Sequence, residues 1–297
     1  MYHKAVLLKE SIEGLEINSD GTYVDITFGG GEHSKEILKK LNNGRLIAFD
    51  QDKDALQNLI DDKRFTFVEQ NFIFLKNFLK LNNAIPVDGI LADLGVSSHQ
   101  IDTSERGFSI RFNAELDTRM DKSKDLTAKE IINNYSEEQL KDIFYSYGEI
   151  NNGARLANTI VEKRKIENIK TIKQFKEAIS SCVPNDKENK YLAKVFQALR
   201  IEVNDELNVL KEMLNQTVDV MKKGGRLVVI SYHSLEDRLV KNFLKSGNFD
   251  GIIEKDFYGN PKVPYKLINR KVIVPNEKEI MNNSRSRSAK LRIAEKI

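Results

Sequence analysis

Hydrophobic positions along the chain fall into two rhythms. Short runs of β-formers at 23–28, 45–49, 65–69 and 87–91 read as buried strands, with Asp50 closing the second and Asp93 the fourth. Between them, apolar residues recur at helical spacing: Ile37, Leu38 and Leu41 within 33–41, then the stretches 54–60 and 72–81. Strands alternating with helices predict a parallel α/β sheet with right-handed crossovers. The rhythm then changes. From 104 to 205 strand signals vanish, and 126–132, 137–145, 154–163, 171–179 and 193–201 carry helical spacing. A long amphipathic stretch at 206–222 leads to Lys223-Gly224-Gly225, read as a turn, and R-L-V-V-I-S at 226–231 is again strand-like. The pattern predicts one α/β domain, 1–103 with 206–297, interrupted by an all-helical insertion at 104–205. The tail at 272–293 is expected to supply the last one or two strands.

Composition narrows this picture. Hydrophobic residues make up 40% of the 297, enough for a packed core. No apolar run approaches the length of a membrane span, and the start of the chain lacks a signal-peptide pattern. The single Cys182 excludes a disulfide framework and a cysteine-rich metal site, so a reducing cytoplasm is the simplest home. Net charge is only +3, so any nucleic-acid surface must come from local clustering. The best cluster is 261–292, with nine basic residues against Glu277 and Glu279. Its motif R-S-R-S-A-K-L-R makes Arg285, Arg287 and Lys290 the leading RNA contacts, and on a strand Arg285 and Arg287 would share one face.

Chemistry concentrates where the first strand ends. Y-V-D-I-T-F-G-G-G-E-H-S places Gly29, Gly30 and Gly31 between that strand and the first helix. Ligands of open α/β sheets sit at the carboxyl ends of the strands, and glycine lets backbone turn tightly beside them. Asp50 follows Gly31 by nineteen positions (50 − 31), where an acidic residue grips a nucleotide ribose. An adenosine-containing cofactor is expected. A dinucleotide loop wants G-x-G-x-x-G, but Ser34 stands at the third glycine and Glu32 would repel a pyrophosphate. S-adenosylmethionine has no phosphate, and its ammonium and sulfonium suit acidic residues such as Asp25. The charge of the loop therefore favours S-adenosylmethionine over NAD.

Seven motifs in order then resemble one family across nearly the whole chain. They are H-K-A-V-L-L-K-E, D-I-T-F-G-G-G-E-H-S, D-L-G-V-S-S-H-Q-I-D with E-R-G-F-S, L-D-T-R-M-D, F-Q-A-L-R-I-E-V-N-D-E-L, G-G-R-L-V-V-I-S-Y-H-S-L-E-D-R and R-S-R-S-A-K-L-R. The chain resembles the bacterial 16S rRNA (cytosine-N4)-methyltransferases. The resemblance implies a Rossmann-like class I methyltransferase sheet that binds S-adenosylmethionine, with the helical insertion helping to bind RNA of the small ribosomal subunit. It implies that Gly31, Glu32 and His33 line the methionine end, Asp50 holds the ribose and Phe72 borders the adenine. Asp93 and Gln100 complete the site. Four positions depart from the family: Glu32 replaces a usual glycine, His99 and Ser284 usual prolines, and Thr118 a usual methionine. The Glu32 side chain must then point away from the cofactor or pair with its ammonium.

The exocyclic amine of cytosine is conjugated with its ring and is a poor nucleophile. Catalysis needs acceptors for the amine hydrogens and in-line placement against the methyl. Asp93, aided by backbone carbonyls of 94–97, is the candidate acceptor, although the D/N-P-P-aromatic quartet usual for amino methylation is replaced by D-L-G-V. Methylation at C5 would need a cysteine nucleophile, and Cys182 lies deep in the insertion; deamination would need a zinc site with paired cysteines. His3, His33, His99 and His233 show no converging ligand spacing, so no metal is expected. His233 either faces the substrate base or bonds to its own turn. Arg119 either pairs with Asp117, anchoring the insertion to the sheet, or meets an RNA phosphate. Two rival readings stay open: an NAD-dependent enzyme on the same sheet, and a non-catalytic RNA-binding assembly protein.

Overall fold

Residues 5–297 are described by a computed structural model, and His3 lies outside them. Two compact units are present: Met1–Gly95 with Leu207–Ile297, and Val96–Glu206. Residues 96–103, expected with the sheet, fall in the second unit, because the segment after Gly95 starts a helix with its own cap.

The first unit contains α1 (Leu8–Gly14), β1 (Thr22–Asp25), α2 (Glu32–Lys40), β2 (Arg45–Asp50), β3 (Phe65–Glu69), α3 (Leu75–Leu81) and β4 (Val87–Asp93). The second carries α4 (Ser98–Asp102), α5 (Ala128–Asn134), α6 (Glu137–Ser146), α7 (Gly153–Ile166), α8 (Ile172–Ile179) and α9 (Glu188–Asn204). After it come α10 (Glu206–Val220), β5 (Met221–Ser231), α11 (Ser234–Ser246), β6 (Tyr265–Leu267), α12 (Glu277–Asn282) and β7 (Lys290–Lys296).

The seven strands form one sheet in the order β3-β2-β1-β4-β5-β7-β6. Strands β1 to β5 pair in parallel, and β7 runs antiparallel to both β5 and β6. This is the mostly parallel α/β sheet that the sequence predicts. Side chains of a strand alternate between faces, and the core divides accordingly. Val24, Ile47, Phe49, Ile90 and Ala92 pack with Leu75 and Leu79 of α3, Met213 of α10 and Phe243 of α11. Tyr23, Leu46, Leu91, Val228 and Ile230 pack with Ile12 of α1 and with Ile37 and Leu38 of α2. Each buried aliphatic or phenyl side chain contributes about 1.5–3 kcal/mol. Strand order reverses between β1 and β4, and such switch points open a crevice at the carboxyl ends. Asp25, Asp50 and Asp93 are the last residues of β1, β2 and β4.

The helical unit starts its helices with signals visible in the sequence. Ser136 and Thr171 each form a reciprocal capping box with a glutamine three residues on, Gln139 and Gln174. Its core gathers Ile131, Phe144, Leu156, Phe175, Leu192 and Leu199.

Several local expectations are corrected. Strand β1 ends at Asp25 rather than residue 28, because the chain leaves the ladder to build the glycine loop. Residues 54–60 give a 3₁₀ turn, Lys53–Asn58, begun by the Asp52 side chain accepting from Asp54 N–H at 3.1 Å. Lys223-Gly224-Gly225 is no terminal turn but a bulge inside β5: Val87 pairs with Met221, and Gly89 with Arg226. Gly224 makes it possible with φ +80°, a left-handed value. Arg285 and Arg287 do not lie on a strand. They occupy the 3₁₀ turn Ser284–Ser288, where residues two apart point to different sides.

Candidate active site

The glycine loop turns by left-handed backbone. Gly29 has φ +49° and Gly31 φ +74°, and Gly31 is the residue before the first turn of α2. A Cβ on Gly31 would lie 2.9 Å from the Phe28 ring, so space and backbone both demand glycine there. The loop is fastened at Gly29. Its N–H donates to Asp50 Oδ2 at 2.8 Å, and its carbonyl accepts from Asn58 Nδ2 at 2.9 Å. Asp50 Oδ1 accepts from Asp52 N–H at 2.9 Å. The residue expected to grip a ribose therefore also sets the shape of the loop. Each carboxylate oxygen retains a second lone pair for a ligand.

The other two carboxylates are held as firmly. Asp25 is buried, accepting from Ser34 Oγ at 2.7 Å and Thr27 N–H at 3.1 Å. Asp93 Oδ1 accepts from Tyr232 Oη at 2.7 Å, and Asp93 Oδ2 lies 3.8 Å from His33 Nδ1. Desolvation pushes the Asp50 carboxyl up to about 6, against the pull of its backbone hydrogen bonds, with the charges of Asp52 and Asp25 adding to the rise. Desolvation likewise pushes Asp93 up to about 7; the Tyr232 hydroxyl opposes this, and Asp25 and Glu236 reinforce it. Burial lowers His33 to about 4, so its ring stays neutral near pH 7. Nε2 of His33 is buried without a hydrogen-bond partner among the described residues. Among the described residues, no lysine or arginine pairs with Asp25, Asp50 or Asp93.

Such a carboxylate group, with an orphaned imidazole nitrogen beside it, fits a ligand bearing positive charge and hydrogen-bonding groups. It does not fit a pyrophosphate, which the carboxylates would repel. Gly31, Glu32, His33, Asp50 and Asp93 all belong to this edge of the sheet unit. Glu32 resolves its own question: its Oε2 accepts from the Ala5 N–H, so the side chain ties the N-terminal segment to α2. Phe72 opens the 3₁₀ turn Phe72–Phe74 after β3, half buried against the core. Gln100 belongs to the helical unit, where its Oε1 accepts from Ser97 N–H at 3.0 Å and completes the capping box of α4.

Of the remaining candidates, His233, Arg119 and Lys290 have partners within the chain. His233 caps α11, its Nδ1 accepting from Glu236 N–H at 3.4 Å, and its Nε2 lies 3.2 Å from Glu236 Oε1. It bonds to its own turn, one of the two alternatives open from sequence. Arg119 grips Asp117 with Nε at 2.7 Å and Nη2 at 2.8 Å, and Nη1 donates to Lys122 O at 3.0 Å. Both partners lie inside the helical unit, so this fork braces that unit rather than anchoring it to the sheet. Lys290 Nζ lies 3.0 Å from Asp237, which also receives Arg292 Nε at 2.8 Å. Arg287 is exposed and Arg285 half buried.

Sequence reasoning missed Tyr232 and Glu236. Tyr232 directly follows the last residue of β5, and the Glu236 side chain accepts from its N–H at 2.9 Å. The signal was available: S-Y-H-S-L-E-D-R continues a strand past its carboxyl end, where site residues gather.

Known proteins are similar to this sequence over its whole length. The MraW methylase family matches residues 1–297. The ribosomal RNA small subunit methyltransferase H of Bacteroides thetaiotaomicron is 58% identical over 296 residues, covering 99% of this chain and 97% of that protein. The protein of the same name from Flavobacterium johnsoniae is 57% identical over 297 residues, covering 100% and 98%. Among solved structures, an rRNA methylase from Streptococcus thermophilus aligns over 100% of this chain and 99% of its own, at 11% identity and a TM-score of 0.44.

Proposed function

The chain belongs to the MraW methylase family, and on that premise we propose that it methylates the N4 amine of a cytosine in 16S rRNA of the small ribosomal subunit, using S-adenosylmethionine. The observation that carries this reading is the set of three carboxylates at the switch point, Asp25 buried and Asp50 and Asp93 half-buried, left without lysine or arginine partners among the described residues. The bound cofactor supplies an electrophilic methyl on a positively charged sulfur. Asp50 holds the ribose hydroxyls while its Gly29 hydrogen bond keeps the loop in shape. Gly31 and the first turn of α2 form the wall at the methionine end, and His33 Nε2 offers a hydrogen bond there.

Asp93 is the acceptor for the target amine. Its carboxyl titrates at about 7, so near neutral pH it exists in both forms. The anion accepts an amine hydrogen bond, which draws the nitrogen lone pair out of conjugation with the ring. Methyl transfer to the amine would release a proton, and Asp93 would take it. Tyr232 keeps Oδ1 occupied and leaves Oδ2 for this role. The amine must be unpaired to reach the site, since base pairing in a duplex occupies it. We assign RNA recognition in part to the helical unit.

The test is methyl transfer from labelled S-adenosylmethionine to small ribosomal subunits lacking the modification, followed by nucleoside analysis. Label in N4-methylcytidine is the expected result. Label in another nucleoside, or none, overturns the proposal.

A further inference from the structure

The segment between α11 and β6 carries the most exposed aromatic side chains of the described chain. Phe257 is 97% exposed and Tyr258 85%. Burying such rings is strongly favourable, and a soluble chain rarely leaves two consecutive ones in water without use for them. Their support is built. Lys255 and Pro261 form an antiparallel bridge, Lys262 N–H donates to Glu254 O at 2.8 Å, and Asp256 N–H donates to Asn260 O at 2.9 Å. Asp256 turns its carboxylate inward, accepting from Tyr258 N–H and Asn260 N–H, both at 2.9 Å. Gly259 closes the turn at φ +86°. The base of the segment is pinned by Asn248, whose Oδ1 accepts from Gly251 N–H at 2.9 Å, and by Phe249, stacked on Phe243 at 5.3 Å.

Charge along 254–271 is mostly basic. Lys255, Lys262, Lys266, Arg270 and Lys271 are exposed, none makes an ion pair among the described residues, and the exposed Glu254 opposes them. Asp256, the acid nearest the tip, is spent on the turn's own amides, and those hydrogen bonds hold it below the usual carboxylate range. Protein interfaces deplete lysine around their aromatic anchors. Aromatic faces among unpaired lysines instead suit single-stranded nucleic acid, where bases stack and phosphates meet cations.

We propose that the Phe257–Tyr258 turn is a stacking platform for unpaired rRNA bases, with Lys255 and Lys262 on the flanking phosphates. This rests on the rRNA reading above and adds an RNA-binding surface outside the carboxylate edge. The chain contains no tryptophan, so Phe257→Trp introduces a lone fluorophore at the tip. Titration with a single-stranded RNA oligonucleotide should quench its emission saturably, and an RNA duplex of equal length should not. Replacing both aromatics (Phe257→Ala with Tyr258→Ala) should weaken single-strand binding roughly 5- to 150-fold for one stacked base. The salt slope should stay unchanged, because both lysines still meet their phosphates. Lys255→Gln with Lys262→Gln should instead flatten that slope by about one for each phosphate left without its cation. Both side chains at the tip are solvent-exposed, so the melting temperature should hold. No quenching under conditions where wild type binds the oligonucleotide overturns the proposal, as does wild-type affinity in the double alanine variant. Quenching by rRNA-free ribosomal proteins and not by RNA overturns it too. Wild-type protein that methylates small subunits, with a double alanine variant of unchanged KM and RNA affinity, leaves the methyltransferase reading standing and this one refuted.

Discussion

Two places in the sheet unit treat charge in opposite ways. Beside the last strand, Asp237 is met by Lys290 at 3.0 Å and Arg292 at 2.8 Å. Desolvation pushes its carboxyl up, yet hydrogen bonds and charge from those two cations win, and it ends below the usual range. At the carboxyl edge, Asp25, Asp50 and Asp93 receive only neutral donors among the described residues, and desolvation wins at all three. Pairing costs a sequence no more at one place than at the other. On the function proposed above, the difference marks purpose: where a charge serves the fold it is matched within the chain, and where it would serve a ligand the match is left to the ligand. The helical unit follows the first pattern, with Arg119 on Asp117 and Arg200 on Glu206 at 2.7 Å.

The comparison breaks first at the paired end. Asp237→Ala leaves Arg292, only 13% exposed, without its partner. Stranding a buried charge costs about 3 kcal/mol, so chemical denaturation should show a large loss of stability with cofactor affinity per folded molecule unchanged. A variant as stable as wild type would show that this pair is ornamental.

At the unpaired end the sign reverses. Asp93 has a folded value of about 7, above its unfolded value near 4. A raised carboxylate binds its proton more tightly when folded, so its contribution is intact below pH 4 and is lost as pH climbs through 7. Asp93→Asn removes that loss. Without cofactor, the variant should match wild type near pH 4 and exceed it by about 2 kcal/mol above pH 7, the 21% exposure of the side chain trimming the penalty. Methyl transfer should collapse at the same time. Equal stability at all pH values would mean that Asp93 carries no desolvation strain. Asp50→Ala should likewise weaken S-adenosylmethionine binding by about 1.5–3 kcal/mol, read by titration calorimetry. Unchanged affinity would remove Asp50 from the site.

How much of this was legible in the sequence depends on what set each feature. The sheet was legible because runs such as R-L-V-V-I-S are buried on both faces, which only a parallel strand between helical layers explains. Asp50 stood out because it ends β2, and Gly31 because a run of glycines follows β1 just before α2. Strand β6 was not, since three residues, Tyr265–Leu267, carry no periodicity and owe their pairing to β7. Arg285 and Arg287 misled because alternation of basic and small residues mimics a strand; Ser286, buried between them, locks a 3₁₀ turn instead, its Oγ donating to Asn283 O at 2.8 Å. Lys290 was chosen for its charge, and only the fold shows that charge already met by Asp237, 53 residues away in the chain. Glu32 illustrates the reverse. Its departure from the family pattern was plain, but its partner, the Ala5 amide, lies 27 residues upstream.

The smallest effect gives the sharpest test, because it changes the tuning of an unpaired carboxylate without removing it. Tyr232 donates its hydroxyl to Asp93 Oδ1 at 2.7 Å, and this bond favours the charged form. The other groups that influence this carboxyl are Asp25 at the end of β1, Glu236 on α11 and His33 on α2; the two acids push it further up, and the neutral imidazole opposes neither. Tyr232→Phe deletes one hydrogen bond to a charged group and keeps the ring, so the cost is about 1.5 kcal/mol, the low end for such a bond. The Asp93 carboxyl should then rise above its present value of about 7 by about one pH unit. The anion accepts the amine proton, so the rising limb of methyl transfer against pH should move upward by the same amount. Activity at pH 9, where Asp93 is ionised in either protein, should recover most of the wild-type rate. Tyr232 itself cannot mimic the shift, since burial first, then the charge and hydrogen bond of Asp93, hold its hydroxyl well above the usual phenol range. If the variant loses activity equally at every pH, Tyr232 packs against the site without tuning Asp93. If the limb stays in place and only the melting temperature falls, Asp93 is not the group that titrates in the reaction.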